Sequence, residues 1–192
     1  MTAYHESGHA LLHFLLENAD PLHKVTIIPH GRALGMSLAL PENDTYSRSK
    51  AWLVDWITIH MGGFAAESLI YNETTTGSQQ DIEGATGLAR RIVCEWGMSE
   101  DLGPIAYGQK DEPIFLGKEI ARHKDYSEET AEKIDKEIKR IVNSCLEKAN
   151  QMLTTNKEKL TILAETLVAR ETLDGEEIAE LLGFEYKKAQ QV

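Results

Sequence analysis

His5-Glu6-Ser7-Gly8-His9 is the stretch that decides how the rest of the chain is read. Apolar Ala10, Leu11, Phe14 and Leu15 recur at helical spacing around it, so a helix is expected from Ala3 to about Asn18, ended by Asp20-Pro21. Residues four apart share one helix face, so both imidazoles can reach a single metal ion. Glu6 projects beside the first ligand, where a metal-activated water would sit. The chain's 7 histidines and 31 acidic residues, 22 of them Glu, give about 0.03 accidental matches to His-Glu-x-x-His. The motif is therefore read as a zinc site with its own general base, not as a surface histidine pair.

Five of the seven histidines (His5, His9, His13, His23 and His30) fall in the first thirty residues. His13 continues the four-residue series, but eight helical residues span about 12 Å, too far for His5 and His13 to share one ion. It is expected to be a partly exposed packing or supporting residue. Leu12 and Leu15 stand where a metzincin would carry Gly and His, so the third ligand must come from another element. Spacing leaves two candidates: Glu67, after Gly62-Gly63, and Asp81, in the first turn of a later helix.

With 192 residues, 42% hydrophobic and 27% charged, the chain can bury a core. Its net charge of −11 argues against a general nucleic-acid binder, which needs a basic surface. Cys94 and Cys145 lack metal spacing and read as buried thiols in a reducing compartment. With no run long enough for a membrane helix and no signal peptide, the chain is expected to be soluble and intracellular. A motif this close to the first residue suggests a piece of something longer.

Beyond the motif helix, Val25 to Ile28 and Ala33 to Leu40 read as strands of a small hairpin-like sheet. Ser47 is expected to cap a long helix through Trp52, Leu53, Trp56 and Ile59, interrupted near Gly62-Gly63 and resuming to Ile70. Ser78 is expected to cap the next helix and Gly97 to end it. Ser127 should cap a long helix marked by Ala131, Ile134, Ile138, Ile141, Cys145, Ala149 and Met152. Thr155 to Glu158 and Asp174 to Glu177 have capping-box spacing and open two further helices. The fold class expected is mainly α: a helical zinc-protease domain with a small β-sheet near the active site, followed by a C-terminal helical bundle. The expected organisation is a zinc-peptidase core over 1–97, an ordered loop region over 98–125, a C-terminal helical part of the same domain over 126–185, and a flexible tail over 186–192.

Further signals accompany the motif: His23-Lys-Val-Thr-Ile-Ile-Pro29, Gly31-Arg-Ala-Leu-Gly35, Gly62-Gly63 with Ala66-Glu67, and Thr75-Thr-Gly77. Asp81-Ile with Ala85-Thr86 and Ala89-Arg90, Trp96-Gly-Met-Ser99 with Leu102-Gly-Pro104, and Phe115-Leu-Gly117 follow in order. Together they resemble the peptidase domain of the FtsH family, membrane-anchored ATP-dependent AAA+ zinc proteases, from about Thr2 to Leu182. The resemblance implies one Zn2+ held by His5, His9 and Asp81, Glu6 as general base, and Glu67 in a supporting role, hydrogen-bonded to a ligand histidine. His30 and Phe64 stand where the family usually has Arg, and Gln80 where Asn or Ser is common.

The resemblance further implies protein substrates, unfolded or membrane proteins, and a homohexameric ring. It also implies an AAA+ ATPase domain and a transmembrane anchor in the full-length protein, with the protease facing the cytoplasm in bacteria or the inside of an organelle. No Gly-x-x-x-x-Gly-Lys-[Ser/Thr] occurs, so ATP is expected to act only through an ATPase domain outside this chain. Substrate is expected to pair along a sheet edge, with Ala33 to Leu40 as the candidate strand. The alternative is a catalytically silent helical assembly module, which would be free to lose the set His5, Glu6, His9 and Asp81. A non-proteolytic zinc hydrolase would need polar specificity residues to which nothing in the sequence points.

Overall fold

In the computed structural model, which describes residues 1–29, 35–39, 47–108 and 126–186, the motif helix α1 spans Thr2–Leu15. It stops short of the expected Asn18 because Leu16 turns to extended backbone. Ala10, Leu11 and Leu12 are fully buried, so α1 is a central helix, not a surface one. A three-stranded antiparallel sheet follows in the order β2-β1-β3, with β1 at Leu22–Thr26, β2 at Met36–Ala39 and β3 at Thr172–Asp174. Val25 of β1 lies opposite Ser37 on one side and Leu173 on the other. β3 is not expected from the sequence, since three residues are too few to show an alternating pattern. His30, Ala33, Leu34, Leu40, Phe115 to Gly117, and most of the expected loop and tail lie outside the described residues.

Helices α2 (Lys50–His60) and α3 (Gly62–Tyr71) meet at Met61. Ser49, not Ser47, caps α2, its hydroxyl accepting from Trp52 N at 3.1 Å. Gly8 of α1 and Gly62 of α3 touch backbone to backbone; a Cβ on Gly62 would stand 2.9 Å from Gly8 O. Two glycines at the crossing let α1 and α3 approach closely enough for α3 side chains to reach the motif imidazoles.

A 3-10 turn over Thr76–Ser78 leads into α4 (Gln79–Cys94). Ser78 is fully buried and makes no capping bond, contrary to expectation; Thr75 caps the preceding turn, accepting from Gly77 N at 3.2 Å. After α4 ends, Gly97 takes a left-handed φ of 59°, and a Cβ there would crowd Pro104 Cα at 2.8 Å. Helix α5 (Glu128–Thr155), capped by Ser127 as expected, buries Ile134, Ile138, Ile141, Cys145, Ala149 and Leu153 against α2, α3 and α4. Helix α6 (Lys157–Arg170) packs on α1, and α7 (Gly175–Leu182) packs against β1. The capping box at Asp174 and Glu177 forms, whereas Thr155 ends α5 with its hydroxyl donated to Gln151 O at 2.9 Å.

The fold is thus mainly helical with a small sheet beside α1. Buried Asp55 of α2 ties the turn after α1 to α5: it accepts from Asn18 N (3.2 Å), Asn18 Nδ2 (2.9 Å) and Lys148 Nζ (2.7 Å). Cys94 and Cys145 are buried free thiols. No described helix is long and apolar enough to cross a membrane.

Candidate metal centre

One face of α1 presents His5 and His9, whose ring centroids are 4.8 Å apart. His5 Nδ1 donates to Glu67 Oε1 at 2.9 Å, and His9 Nδ1 donates to Ile59 O at 2.6 Å. A carbonyl and a carboxylate can only accept, so each Nδ1 carries the ring proton and each Nε2 presents a lone pair. Those two Nε2 atoms lie 3.1 Å apart. Asp81 Oδ2, delivered by the first turn of α4, sits 3.2 Å from His5 Nε2 and 3.3 Å from His9 Nε2.

With both imidazoles neutral, three electron-pair donors converge, a repulsive arrangement that a cation or a shared proton relieves. Tetrahedral zinc with bonds of about 2.0 to 2.1 Å separates neighbouring ligand atoms by roughly 3.3 Å, close to this triangle. The residues fit zinc. Among the described residues, His5, His9 and Asp81 are the group arranged to hold a metal ion.

Burial opposes charge on His9, but the Asp81 carboxylate, with Glu6 and Ile59 O, raises its pKa to about 9. Burial also opposes ionisation of Asp81, yet His5, His60 and His9 hold its carboxyl far below the usual range.

Glu6 is buried at the rim of this triangle and accepts from Ser37 Oγ at 3.1 Å through Oε2. Gly35 lies against it: a Cβ there would come within 2.6 Å of Glu6 Oε1, so glycine is what lets the strand segment approach. Burial raises the Glu6 pKa, moderated by the histidine charges and the Ser37 hydroxyl. Glu67 is itself fixed, taking Thr75 N at 2.8 Å on Oε2 and Thr75 Oγ1 at 3.3 Å on Oε1.

Of the other early histidines, His13 stands apart from the triangle and donates Nδ1–H to Asp20 O at 2.9 Å. It is buried, not partly exposed as expected, because Trp56 covers its ring edge-on at 5.8 Å. Burial pushes its pKa down to about 4. His23 is exposed on β1. Two neighbours escaped the sequence reading: Ser37, and His60, whose Nδ1 lies 3.5 Å from Asp81 Oδ1. No spacing rule links either to the motif; only the fold joins them.

The profile of peptidase family M41 matches residues 1–181. The chain is 52% identical over 187 residues to the ATP-dependent zinc metalloprotease FtsH of Borreliella burgdorferi, covering 97% of this chain and 29% of that one. It is 50% identical to the protein of the same name from Magnetococcus marinus over 96% of this chain and 27% of the other. The Thermotoga maritima protein of that name is 45% identical, over 97% and 31%. The chain therefore spans less than a third of the length of these curated relatives. Its matched span, its mainly helical fold and the donor triangle that its HExxH helix forms with α4 agree: the chain belongs to peptidase family M41.

Proposed function

We propose that this chain is a zinc-dependent endopeptidase domain in which His5, His9 and Asp81 hold one Zn2+ and Glu6 is the general base. The observation that carries the reading is the convergence of two Nε2 lone pairs and Asp81 Oδ2 within 3.3 Å of one another. When bound, zinc supplies Lewis acidity at an open position, lowering the pKa of a water and polarising a peptide carbonyl.

The chain's own residues do the rest. His5 and His9 are locked in the Nδ1–H tautomer by Glu67 and Ile59, so their ligand nitrogens need no reorganisation. Glu6 takes the proton of the attacking water and passes it to the leaving amine. Ser37 engages Oε2, leaving Oε1 to carry that proton. Burial of the carboxyl raises its proton affinity towards what a base working near neutrality needs.

Substrate lies extended along β2, whose far side carries no strand among the described residues. Pairing through main-chain hydrogen bonds gives affinity without a demanding side-chain sequence. Peptides N-methylated at alternate amides should show raised KM; indifference to methylation at every position would contradict this.

In the full-length protein the same domain is the proteolytic part of an ATP-dependent, membrane-anchored homohexamer that degrades unfolded or membrane proteins, with unfolding done by an AAA+ ATPase domain. The relatives' printed name, ATP-dependent zinc metalloprotease, supports the ATP-dependent proteolytic part of this reading, and their more than threefold greater length leaves room for the further domains. The silent assembly module is not favoured, since all four of His5, Glu6, His9 and Asp81 are present and brought together. The test is zinc stoichiometry together with cleavage of an unfolded protein by the native chain, Glu6→Gln, Asp81→Ala and Glu67→Ala. Glu6→Gln should keep zinc and lose cleavage, and Asp81→Ala should bind zinc weakly. Full occupancy and activity in Asp81→Ala would overturn the ligand assignment.

A further inference from the structure

The two oxygens of Asp81 face different neighbours. Oδ2 is turned to the imidazole nitrogens of α1, whereas Oδ1 lies 3.5 Å from Nδ1 of His60, the last residue of α2. The His60 ring is clasped on two sides. Trp56, one turn earlier on α2, meets it edge-on at 5.9 Å and 90°. On α4, a Cβ added to Gly84 would stand 3.0 Å from His60 Cε1, so the bare glycine one turn after Asp81 is what admits the ring. These contacts hold the plane of the ring beside Asp81.

A carboxylate that binds a metal through one oxygen has a second oxygen free to swing in. A hydrogen bond to that second oxygen fixes the carboxylate's rotation and its mode of binding. We propose that His60 is a positioning residue for Asp81: its Nδ1–H donates to Oδ1 and so keeps Oδ2 aimed between His5 and His9. His60 then does for the carboxylate ligand what Glu67 and Ile59 O do for the two imidazoles, and each of the three ligands is held by a partner on α2 or α3. The proposal rests on Asp81 being the third ligand. His60 acts on the site through Asp81, and 28% of its side chain is exposed.

The test uses the 192-residue chain loaded with zinc, and separately with cobalt as a spectroscopic probe. Zinc affinity is read by chelator competition and ligand geometry by the visible d–d bands of Co2+. The variants are His60→Ala, His60→Phe, His60→Asn and Asp81→Ala. Phe keeps the ring packing against Trp56 and Gly84 without a donor; the Asn side-chain amide places an N–H where Nδ1 stands. His60→Ala and His60→Phe should weaken zinc binding about tenfold or more and shift the cobalt bands, while His60→Asn stays within about threefold of native with native-like bands. Native affinity and spectrum in His60→Phe would overturn the proposal, because packing alone would then suffice. Equal losses in His60→Asn and His60→Ala would overturn it too, because the donor would be present without effect. Native zinc affinity in Asp81→Ala would instead sink the ligand assignment on which the proposal stands, so the two failures are told apart.

Discussion

Glu67→Gln offers a severe test of how the centre is held, because the change is nearly isosteric and alters only what the two oxygens can do. In the native chain Oε1 accepts from His5 Nδ1 at 2.9 Å and Oε2 accepts from Thr75 N at 2.8 Å. An amide has one acceptor and one donor end, so it cannot satisfy both. If its oxygen faces His5, its NH2 meets the Thr75 N–H, donor against donor. If its NH2 faces His5, Nδ1 must become the acceptor, the proton moves to Nε2, and the lone pair that should bind zinc is lost.

Either arrangement forfeits one charge-assisted hydrogen bond at a site where Glu67 is only 2% exposed, a loss of about 1.5 to 3 kcal/mol. Spent on zinc binding, at about 1.4 kcal/mol per tenfold, this predicts an affinity lower by roughly one to two orders of magnitude. Chelator competition measures it directly, with thermal unfolding of the zinc-free protein showing how much of the loss falls on the fold instead. A zinc affinity and a zinc-free stability both within twofold of native would refute the tautomer argument.

Gly63→Ala should spare the helix and spoil the site: its Cβ would fall 2.5 Å from His5 Nε2, so zinc affinity should drop at least about tenfold while circular dichroism stays native, and unchanged affinity would contradict the packing. For His13, the folded pKa of about 4 lies below the unfolded value near 6.5. The unfolded chain therefore binds more protons between those values, and stability contributed at neutral pH is lost as pH falls from about 6.5 towards 4, amounting to roughly 3 kcal/mol in all. His13→Asn, which keeps a donor for Asp20 O and does not titrate there, should show a flatter acid limb in urea unfolding; parallel limbs would contradict this. Lys148→Met leaves buried Asp55 with Asn18 alone and should lower the unfolding free energy by about 1 to 2 kcal/mol, a change absent if the ion pair contributes nothing.

What could be read from the amino acids follows from which interactions are local. His5, Glu6 and His9 are legible because the ligand spacing coincides with the helical period, and α5 is legible because its apolar residues keep that period across 28 residues. The proposed third ligand is not local. Glu67 and Asp81 are equally plausible as spacing, and the family resemblance had to choose Asp81. In the structure α4 turns Asp81 to the Nε2 side of the imidazoles, whereas α3, drawn in by the Gly8 and Gly62 contact, reaches His5 on its Nδ1 side, which is why the proposal takes Asp81.

Ser37 and His60 were illegible for the same reason, since neither has a sequence relation to the residue it touches. The cap of α2 moved from Ser47 to Ser49 because either serine could serve and the helix start decides. Ser78 looked like a cap but is buried behind a 3-10 turn that Thr75 opens. β3 was hidden by its brevity, and its pairing with β1 joins residues some 148 apart at Val25 and Leu173.

The central claim is that His5, His9 and Asp81 together hold one zinc ion. An anomalous difference map collected at the zinc edge from crystals of the zinc-loaded chain tests it most directly. The account predicts one peak per chain, about 2.0 to 2.1 Å from Nε2 of His5, Nε2 of His9 and Oδ2 of Asp81, with Glu67 on the far side of the His5 ring. A peak elsewhere, or one ligated by Glu67 with Asp81 turned away, would contradict it.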